Sequence, residues 1–399
     1  MRLMEASKPP LRIGIATSRF PRRSETFVLR HVRLLAGGHT VVVCWRQCDR
    51  EEGPKRPLFS RWAALRACPT DLLLTPLHLW RNWRRYRSPL VPYGRSREQL
   101  LEFLRAQSVD VILAEFGSQA VLLWPLARQL GVPLFSYFRG RDASKYLRSR
   151  WRLSGYRRMM PQLAGVFCVS SFLARNLAAA GLVHPNLHVI PSGVDTEQFR
   201  PGIKVPGMIV FAGRFVEKKS PLLVIQSFLR LSARHPHASL HLVGEGPLHR
   251  ACRRLAARSS ASARIVFHGW QSHGQLHDLL AAADIFALHA VTGQDGETEG
   301  MPSVIQEAMA SAAAILSSRH AGIPDVVEHG RSGYLVAERD LAGTVQALDA
   351  LLSDPAHTRR MGDHARAVAE AGLDFRNLYQ RVEHVMAQAV AIDGPAPAF

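Results

Sequence analysis

Two glutamates, Glu299 and Glu307, stand eight positions apart in the stretch Gln294-Asp-Gly-Glu-Thr-Glu-Gly-Met-Pro-Ser-Val-Ile-Gln-Glu-Ala-Met-Ala310. The stretch follows an apolar run over Ile285–Leu288 that reads as a strand. Glu299-Gly300-Met301-Pro302 then predicts a turn at the strand's carboxyl end. Ser303 opens a helix, with capping-box spacing to Gln306. Free amides at a helix start, together with the helix dipole, attract phosphate. Glu307, one turn into the helix, can accept hydrogen bonds from ribose hydroxyls. Glu299, in the turn, can reach a different hydroxyl, on a sugar. Taken alone, the pattern fits a capped surface helix with two solvated glutamates equally well.

A second strand-to-helix turn supplies the complementary charge. In Phe211-Ala-Gly-Arg-Phe-Val-Glu-Lys-Lys-Ser220, Gly213 permits a tight bend, and Arg214 and Lys219 can project to one side of it. Two fixed cations neutralise a diphosphate and stabilise most the charge that develops as it leaves. Lys218 competes for the role; Lys219 is favoured as the nearer to the helix. No Asp-x-Asp is present to hold a divalent cation, which predicts chemistry without a metal or other cofactor. His273 and His277 have helical metal-ligand spacing, but no His-Glu-x-x-His supports them. Val243-Gly-Glu-Gly-Pro247 lacks the third glycine of a dinucleotide fingerprint. No Gly-x-Ser-x-Gly elbow marks a hydrolase. Five scattered cysteines without Cys-x-x-Cys argue against a disulfide framework or zinc ribbon.

The elements that must carry these turns alternate between short apolar runs and amphipathic segments, twice over. Strands are expected over 12–16, 40–44, 109–114, 133–137 and 165–169, with helices over 26–36, 120–130 and 171–180. A linker over 195–204 separates them from strands over 208–212, 239–243, 264–267, 285–288 and 314–317. Ser220, before Pro221, and Ser272, three before Gln275, are placed to cap helices. A last helix is expected over 375–391, followed by a loose tail from 393 to 399. Such alternation predicts α/β architecture: two doubly wound Rossmann-like domains facing a shared cleft, with ligands beyond the carboxyl ends of the strands. The expected boundaries are 1–200, 201–375, and 376–399 for the terminal helix and tail.

The 399 residues carry a formal charge of +19. Residues 1–200 hold 32 basic and 13 acidic side chains, so the whole excess lies in the first half. That asymmetry implies a polyanionic partner. Residues 45–100 break the alternation with Trp45, Trp62, Trp80, Trp83, Leu72-Leu73-Leu74 and the cluster Arg81, Arg84, Arg85, Arg87. Tryptophan and arginine interleaved with leucine suit an anionic membrane surface; an insertion packed on its own domain fits as well. No run of 18 apolar residues predicts a membrane span, and the first ten residues lack the apolar run of a secretory signal. A cytoplasmic protein, peripheral at the inner face of the plasma membrane, is expected.

Taken together, these motifs resemble glycosyltransferase family 4, and the likeness covers nearly the whole chain. Val169-Ser-Ser-Phe172, Val189-Ile-Pro-Ser-Gly-Val-Asp195, Phe267-His-Gly-Trp270 and His320-Ala-Gly-Ile-Pro-Asp325 add to it, and Ser24-Glu-Thr-Phe27 resembles the branch that builds exopolysaccharide, colanic-acid-type and lipopolysaccharide chains. The resemblance implies the GT-B fold and a retaining, metal-independent transfer of a hexosyl group. The donor would be a nucleoside-diphosphate sugar, UDP-linked on the branch likeness, and the acceptor a saccharide, lipid-linked. Glu307 would bind the ribose and Glu299 the donor sugar. Gly213, Arg214 and Lys219 would hold the diphosphate. Gly300, Met301 and Pro302 would pass their backbone close to sugar and phosphate, Ser303 would belong to the donor site at the helix start, and His268 and Trp270 would lie near the base. Phe138-Arg-Gly-Arg-Asp142 falls where relatives carry His-Gly-x-Asp. Arg139 therefore replaces a histidine, and arginine cannot act as a base near neutral pH. Arg139 and Asp142 are carried forward as catalytic-site residues, with Glu115 at another strand end. The first loop, Ser18-Arg-Phe-Pro-Arg-Arg-Ser24, lacks the glycine pair common in relatives. Two other readings remain at this level: a sugar-nucleotide epimerase of the same architecture, and a nucleic-acid-binding protein driven by charge, for which no recognition motif is present.

Overall fold

The structure, a computed structural model, describes residues 10–21, 25–48 and 56–393. Ser24 of the Ser24-Glu-Thr-Phe27 motif, Arg22 and Arg23 of the first loop, residues 49–55 of the insertion and the tail after Asp393 lie outside them. The chain forms two compact units. One holds the described residues up to Cys168, Ala174–Ile190 and those from Tyr379 onward; the other holds Val169–Leu173 and Pro191–Leu378.

The first unit is built on a parallel seven-stranded sheet: β1 Ile13–Phe20, β2 Thr40–Gln47, β3 Leu58–Ser60, β4 Val111–Ala114, β5 Leu134–Phe138, β6 Gly165–Cys168 and β7 Leu187–Val189, in the order 3-2-1-4-5-6-7. The second unit has six parallel strands: β8 Val205–Ala212, β9 Ser239–Val243, β10 Ile265–Gly269, β11 Ala283–Leu288, β12 Ala314–Ser318 and β13 Gly333–Val336, in the order 10-9-8-11-12-13. Both orders reverse direction beside the unit's first strand, between β1 and β4 and between β8 and β11. Such switch points open a crevice at the carboxyl ends of the strands. A strand covered on both faces can be apolar at every position. Val41, Val42 and Val43 in β2 and Ile209, Val210 and Phe211 in β8 are buried without alternation for that reason.

The expected pair of doubly wound sheets is present. β3, β7 and β13 were not expected; each is a strand of three or four residues at the edge of its sheet. β3 lies inside the 45–100 segment, pairs with β2 and extends the sheet at its edge. Helices Arg61–Arg66, Pro69–Leu73, Thr75–Tyr86 and Gly94–Ala106 fill out the segment. Ser272 forms the expected capping box with Gln275. Two other caps do not form. Ser220 is left-handed at φ 44°, and its hydroxyl donates to the Glu217 carbonyl, because a tight turn over Glu217–Lys219 precedes the helix. Ser303 is already helical, and the Pro302 position before it offers no side-chain acceptor. No helix among the described residues is long and apolar enough to cross a membrane.

Candidate active site

The switch point of the second unit lies between the turn after β8 and the loop after β11. Gly213, φ 154°, leads the β8 turn. A Cβ there would come within 2.7 Å of the Lys219 side chain, which passes directly over it. Glycine is therefore needed for Lys219 to cross the turn. The neighbouring strand ends are locked to it by backbone: Gly213 N–H donates to Val243 O at 3.0 Å, Phe215 N–H to Glu245 O at 2.8 Å and Gly244 N–H to Gly269 O at 2.7 Å. Arg214 is exposed on this turn.

Glu299 arrives from the β11 loop. Its Oε1 lies 3.2 Å from Lys218 Nζ and 3.4 Å from Lys219 Nζ, and Lys218 also pairs with Glu297 at 2.7 Å. Burial alone would raise the Glu299 carboxyl, but the ammonium groups of Lys219 and Lys218 outweigh it and hold the group at about 2. Lys218 is lowered by burial and more than restored by Glu299 and Glu297, so it sits above its ordinary value. Lys218 and Lys219 thus share the carboxylate.

Two buried partners fix the backbone of this loop. Glu299 N–H donates to His320 Nε2 at 3.1 Å, so His320 carries its proton on Nδ1 and donates it to Glu338 at 2.6 Å. Glu338 in turn accepts from Thr292 N–H at 2.8 Å. Gly322 N–H donates to Gly300 O at 3.1 Å. Met301 is buried, and Pro302 stands at the N-cap of the helix Ser303–Ala310 with no side chain capping its first amides. Glu307 lies in that helix, buried except for 8% of its surface. His268, at the end of β10, stacks on His241 with a 3.0 Å contact between their ring nitrogens, and burial lowers both imidazoles. Trp270, two residues on, is exposed. His273 and His277 pack edge-on against Phe199, a packing role for the helical pair. Among the described residues no three His, Cys, Asp or Glu side chains are grouped to hold a metal ion.

The first unit places a second carboxylate at its own switch point. Glu115 follows β4, and its N–H donates to Ala16 O in β1. Its side chain is fully buried. Oε2 accepts from Arg139 Nε at 3.0 Å and Nη2 at 2.6 Å, and Oε1 is hydrogen-bonded to His31 Nδ1. The Arg139 guanidinium is stacked against Phe27 and Tyr137, 3.9 and 4.0 Å from their ring centroids. Burial pushes the Glu115 carboxyl up, and Arg139 followed by His31 overrides this to about 2. Asp142 is spent on backbone: it accepts from the N–H groups of Gly117 at 3.0 Å, Arg139 at 3.0 Å and Gly140 at 3.1 Å. It therefore ties the turn after β5 to the helix Gly117–Leu130. Burial still raises its carboxyl, against those donors.

The residues brought together in the second unit are thus Gly213, Lys219, Glu299 and Gly300, with Arg214 on the adjoining turn. Arg139 and Asp142 belong to the first unit. Sequence reasoning missed His320 and Glu338 as the buttress of Glu299, Glu297 as a partner of Lys218, and His31 as a partner of Glu115. His320 and Glu297 stood in motifs singled out for other reasons; Glu338 and His31 carry no local signal.

Residues 24–198 match the family described as Glycosyltransferase Family 4, and residues 194–368 the one described as Glycosyl transferases group 1. The colanic acid biosynthesis glycosyltransferase WcaL of Salmonella typhimurium is 30% identical over 86% of this chain and 90% of its own. A GDP-mannose-dependent phosphatidylinositol monomannoside mannosyltransferase of Corynebacterium glutamicum is 25% identical over 75% of this chain and 82% of its own. In fold, the chain is similar to Anabaena Alr3699/HepE, solved in complex with UDP, at a TM-score of 0.74 and 15% identity over 94% of this chain and 99% of that one. The two parallel Rossmann-like sheets are those of the GT-B fold. With the strand orders and these matches in agreement, this chain belongs to glycosyltransferase family 4 and is a hexosyltransferase.

Proposed function

We propose that the chain moves a hexosyl group from a UDP-linked sugar to a saccharide acceptor, lipid-linked, in the synthesis of a cell-surface polysaccharide or lipopolysaccharide. The transfer retains anomeric configuration and needs no metal. The observation that carries this reading is the Glu299 cluster: one carboxylate and two lysines at a switch point, beside exposed Arg214 and a helix start with uncapped amides. Arg214, Lys219 and the amides from Ser303 onward neutralise the diphosphate and the charge it gains on leaving. Glu307 takes the ribose hydroxyls, Glu299 a hydroxyl of the sugar, and His268 and Trp270 flank the base. The acceptor hydroxyl attacks the anomeric carbon on the face the diphosphate leaves. As the new glycosidic bond forms, the bond to the diphosphate breaks, and the departing phosphate oxygen takes the acceptor proton. Arg139 and Asp142 act by positioning in this scheme, through Glu115 and the turn after β5.

The names of the relatives support the polysaccharide setting, and the UDP bound by Alr3699/HepE supports the carrier. The Corynebacterium relative is named for GDP-mannose, so the base is the feature to test first. Calorimetry with UDP and GDP, each with a chelator present, should give tighter binding of UDP. Arg214→Ala and Glu307→Ala should each abolish it. Unchanged affinity in both variants would remove the donor-site assignment; tighter GDP binding would reassign the carrier.

The excess positive charge of the first 200 residues and the exposed Leu73 and Trp80 support a place at the anionic inner face of the plasma membrane. Sedimentation with vesicles should show binding that requires anionic lipid. Equal recovery with neutral vesicles would contradict it.

A further inference from the structure

Arg61 is the most unusual cation in the first unit. Only 5% of its surface is exposed, and Trp45 lies beside its guanidinium, 5.3 Å from centroid to Cζ. Its Nη2 donates to the Leu90 carbonyl at 2.8 Å, while Nη1 is buried with no hydrogen-bond partner. Arg61 forms no ion pair among the described residues. A buried charge without a counter-charge is costly, and burial lowers this guanidinium to about 10, still protonated at neutral pH. The one carboxylate between residues 56 and 97, Asp71, is buried elsewhere: it accepts from Ser96 N–H at 3.1 Å, in the first turn of the helix Gly94–Ala106.

Arg61 lines a cavity of about 240 Å³ whose other walls are mainly apolar, with Trp45, Trp62, Leu65, Leu72 and Leu79 among them. At ~30 Å³ per water-sized group, that volume takes a chain segment of roughly eight such groups. The rim reaches the surface at Trp62, Leu72 and Leu90. Tyr93 and Pro92 also line a second, open hollow of about 660 Å³, together with Arg81, Arg84, Arg85 and Arg97 and with no acidic side chain in its wall. Arg97 is held by Gln129 and the Pro125 carbonyl, both neutral. An apolar chamber with a buried, unmatched guanidinium, next to a hollow of further guanidiniums, calls for a ligand that is apolar along its body and anionic at its head.

We propose that the Arg61 cavity is a binding site for an alkyl phosphate amphiphile, with the phosphate on the Arg61 guanidinium and the start of the chain among Trp45, Trp62, Leu65, Leu72 and Leu79. The fork of guanidinium donors suits phosphate, and the adjoining arginines favour a headgroup of more than one negative charge. The assignment deepens the membrane-surface reading and rests on it only for the source of the amphiphile. The donor site in the second unit is a separate matter.

Full-length protein is titrated with dodecyl phosphate below its micelle concentration, followed by calorimetry and tryptophan fluorescence. Dodecyl maltoside, dodecanoate and inorganic phosphate are the comparison ligands. Dodecyl phosphate should bind saturably at one site. Arg61→Gln should weaken it at least about tenfold, the scale of one charge-assisted hydrogen bond. Because that variant removes an unmatched buried charge, its Tm should not fall and its UDP binding should persist. Leu79→Trp, which fills the chamber and leaves Arg61 in place, should also abolish dodecyl phosphate binding. Equal affinity for dodecyl maltoside, or binding indifferent to both variants, would overturn the site. Equal affinity for dodecanoate would overturn the phosphate assignment. Vesicle binding that survives while dodecyl phosphate fails to bind would leave the membrane reading standing without this cavity.

Discussion

Each unit holds a glutamate at the switch point of its sheet, and each glutamate is held near a pKa of 2 by cations that overcome its burial. The two clusters differ in what surrounds them. Glu115 meets Arg139 and His31 in a fully buried triad, with Phe27 and Tyr137 covering the guanidinium. Glu299 meets Lys218 and Lys219 with all three side chains partly exposed, at 13–22%. Lysines on flexible stems can trade a carboxylate for a phosphate, whereas a stacked, bidentate arginine has its geometry fixed. The same charge balance therefore makes a structural strut in one unit and an exchangeable site in the other. It also bears on Arg139, which the sequence reading set at a position where relatives carry histidine: its charge is neutralised by Glu115.

The largest effect should come from breaking the sealed cluster. Glu115→Ala leaves Arg139 and His31 buried without their acceptor, a loss on the order of 3–5 kcal/mol. Urea denaturation measures it. A change below about 1 kcal/mol, the range of exposed pairs, would show that the triad is not the strut described. The open cluster should respond in binding. Lys219→Ala should weaken UDP by roughly 10- to 100-fold, as one or two charge-assisted bonds are lost. Stability should hardly move, because Lys218 stays 3.2 Å from Glu299. A stability loss matching that of Glu115→Ala would erase the distinction between the two sites.

Acid should strike both clusters in one window and a buried histidine in another. Glu115 and Glu299 have folded values near 2, below the ordinary 4.5. Their stabilisation is complete above pH 4.5 and is lost as pH falls from there through 2. His289 accepts from Arg339 N–H through Nε2, and burial lowers it to about 4 from 6.5. The unfolded chain then takes up the proton first, so stability falls as pH drops from 6.5 to 4. His31, also lowered by burial, adds to the loss below 6.5. Urea midpoints at pH 7.5, 5 and 3 should therefore step down twice. His289→Gln should shrink the upper step to the share of His31 and leave the lower one. A profile flat from 6.5 to 4 would mean that neither His289 nor His31 is lowered by the fold.

These contrasts trace what could be read from the chain. Gly213, Arg214, Lys219, Glu299 and Ser303 were legible because each belongs to a local strand–turn–helix passage whose chemistry is written within about ten residues. The partners were not. Lys218 meets Glu297 and Glu299 only because β8 and β11 are neighbours, a pairing between segments some 80 residues apart. Glu115, Arg139 and His31 come from three different elements, and nothing in the spacing couples them. Arg61 reads as one arginine among many until its burial is known. Strands β3, β7 and β13 escaped because each is a short strand at the edge of its sheet, paired on one side only, unlike the equally short but central β4 and β6. The charge asymmetry pointed to the first unit's basic surface but not to the cavity within it.

The smallest contrast concerns two serines with the same spacing to a glutamine. Ser272 accepts from Gln275 N–H, and the Gln275 side chain accepts from Ser272 N–H, so both ends of the box are closed. Ser303 has no such bond, and Gln306 is fully buried with both side-chain polar atoms unpaired. Ser272→Ala should cost about 1 kcal/mol of stability and leave UDP affinity unchanged. Ser303→Ala should stay within about 0.5 kcal/mol in stability, because no cap is lost. No side chain caps its first amides in either form, so UDP should still bind. An equal stability loss at both serines would mean that Ser303 caps its helix after all. The amides assigned to the diphosphate would then be occupied, and the burden of holding it would fall on Arg214 and Lys219 alone.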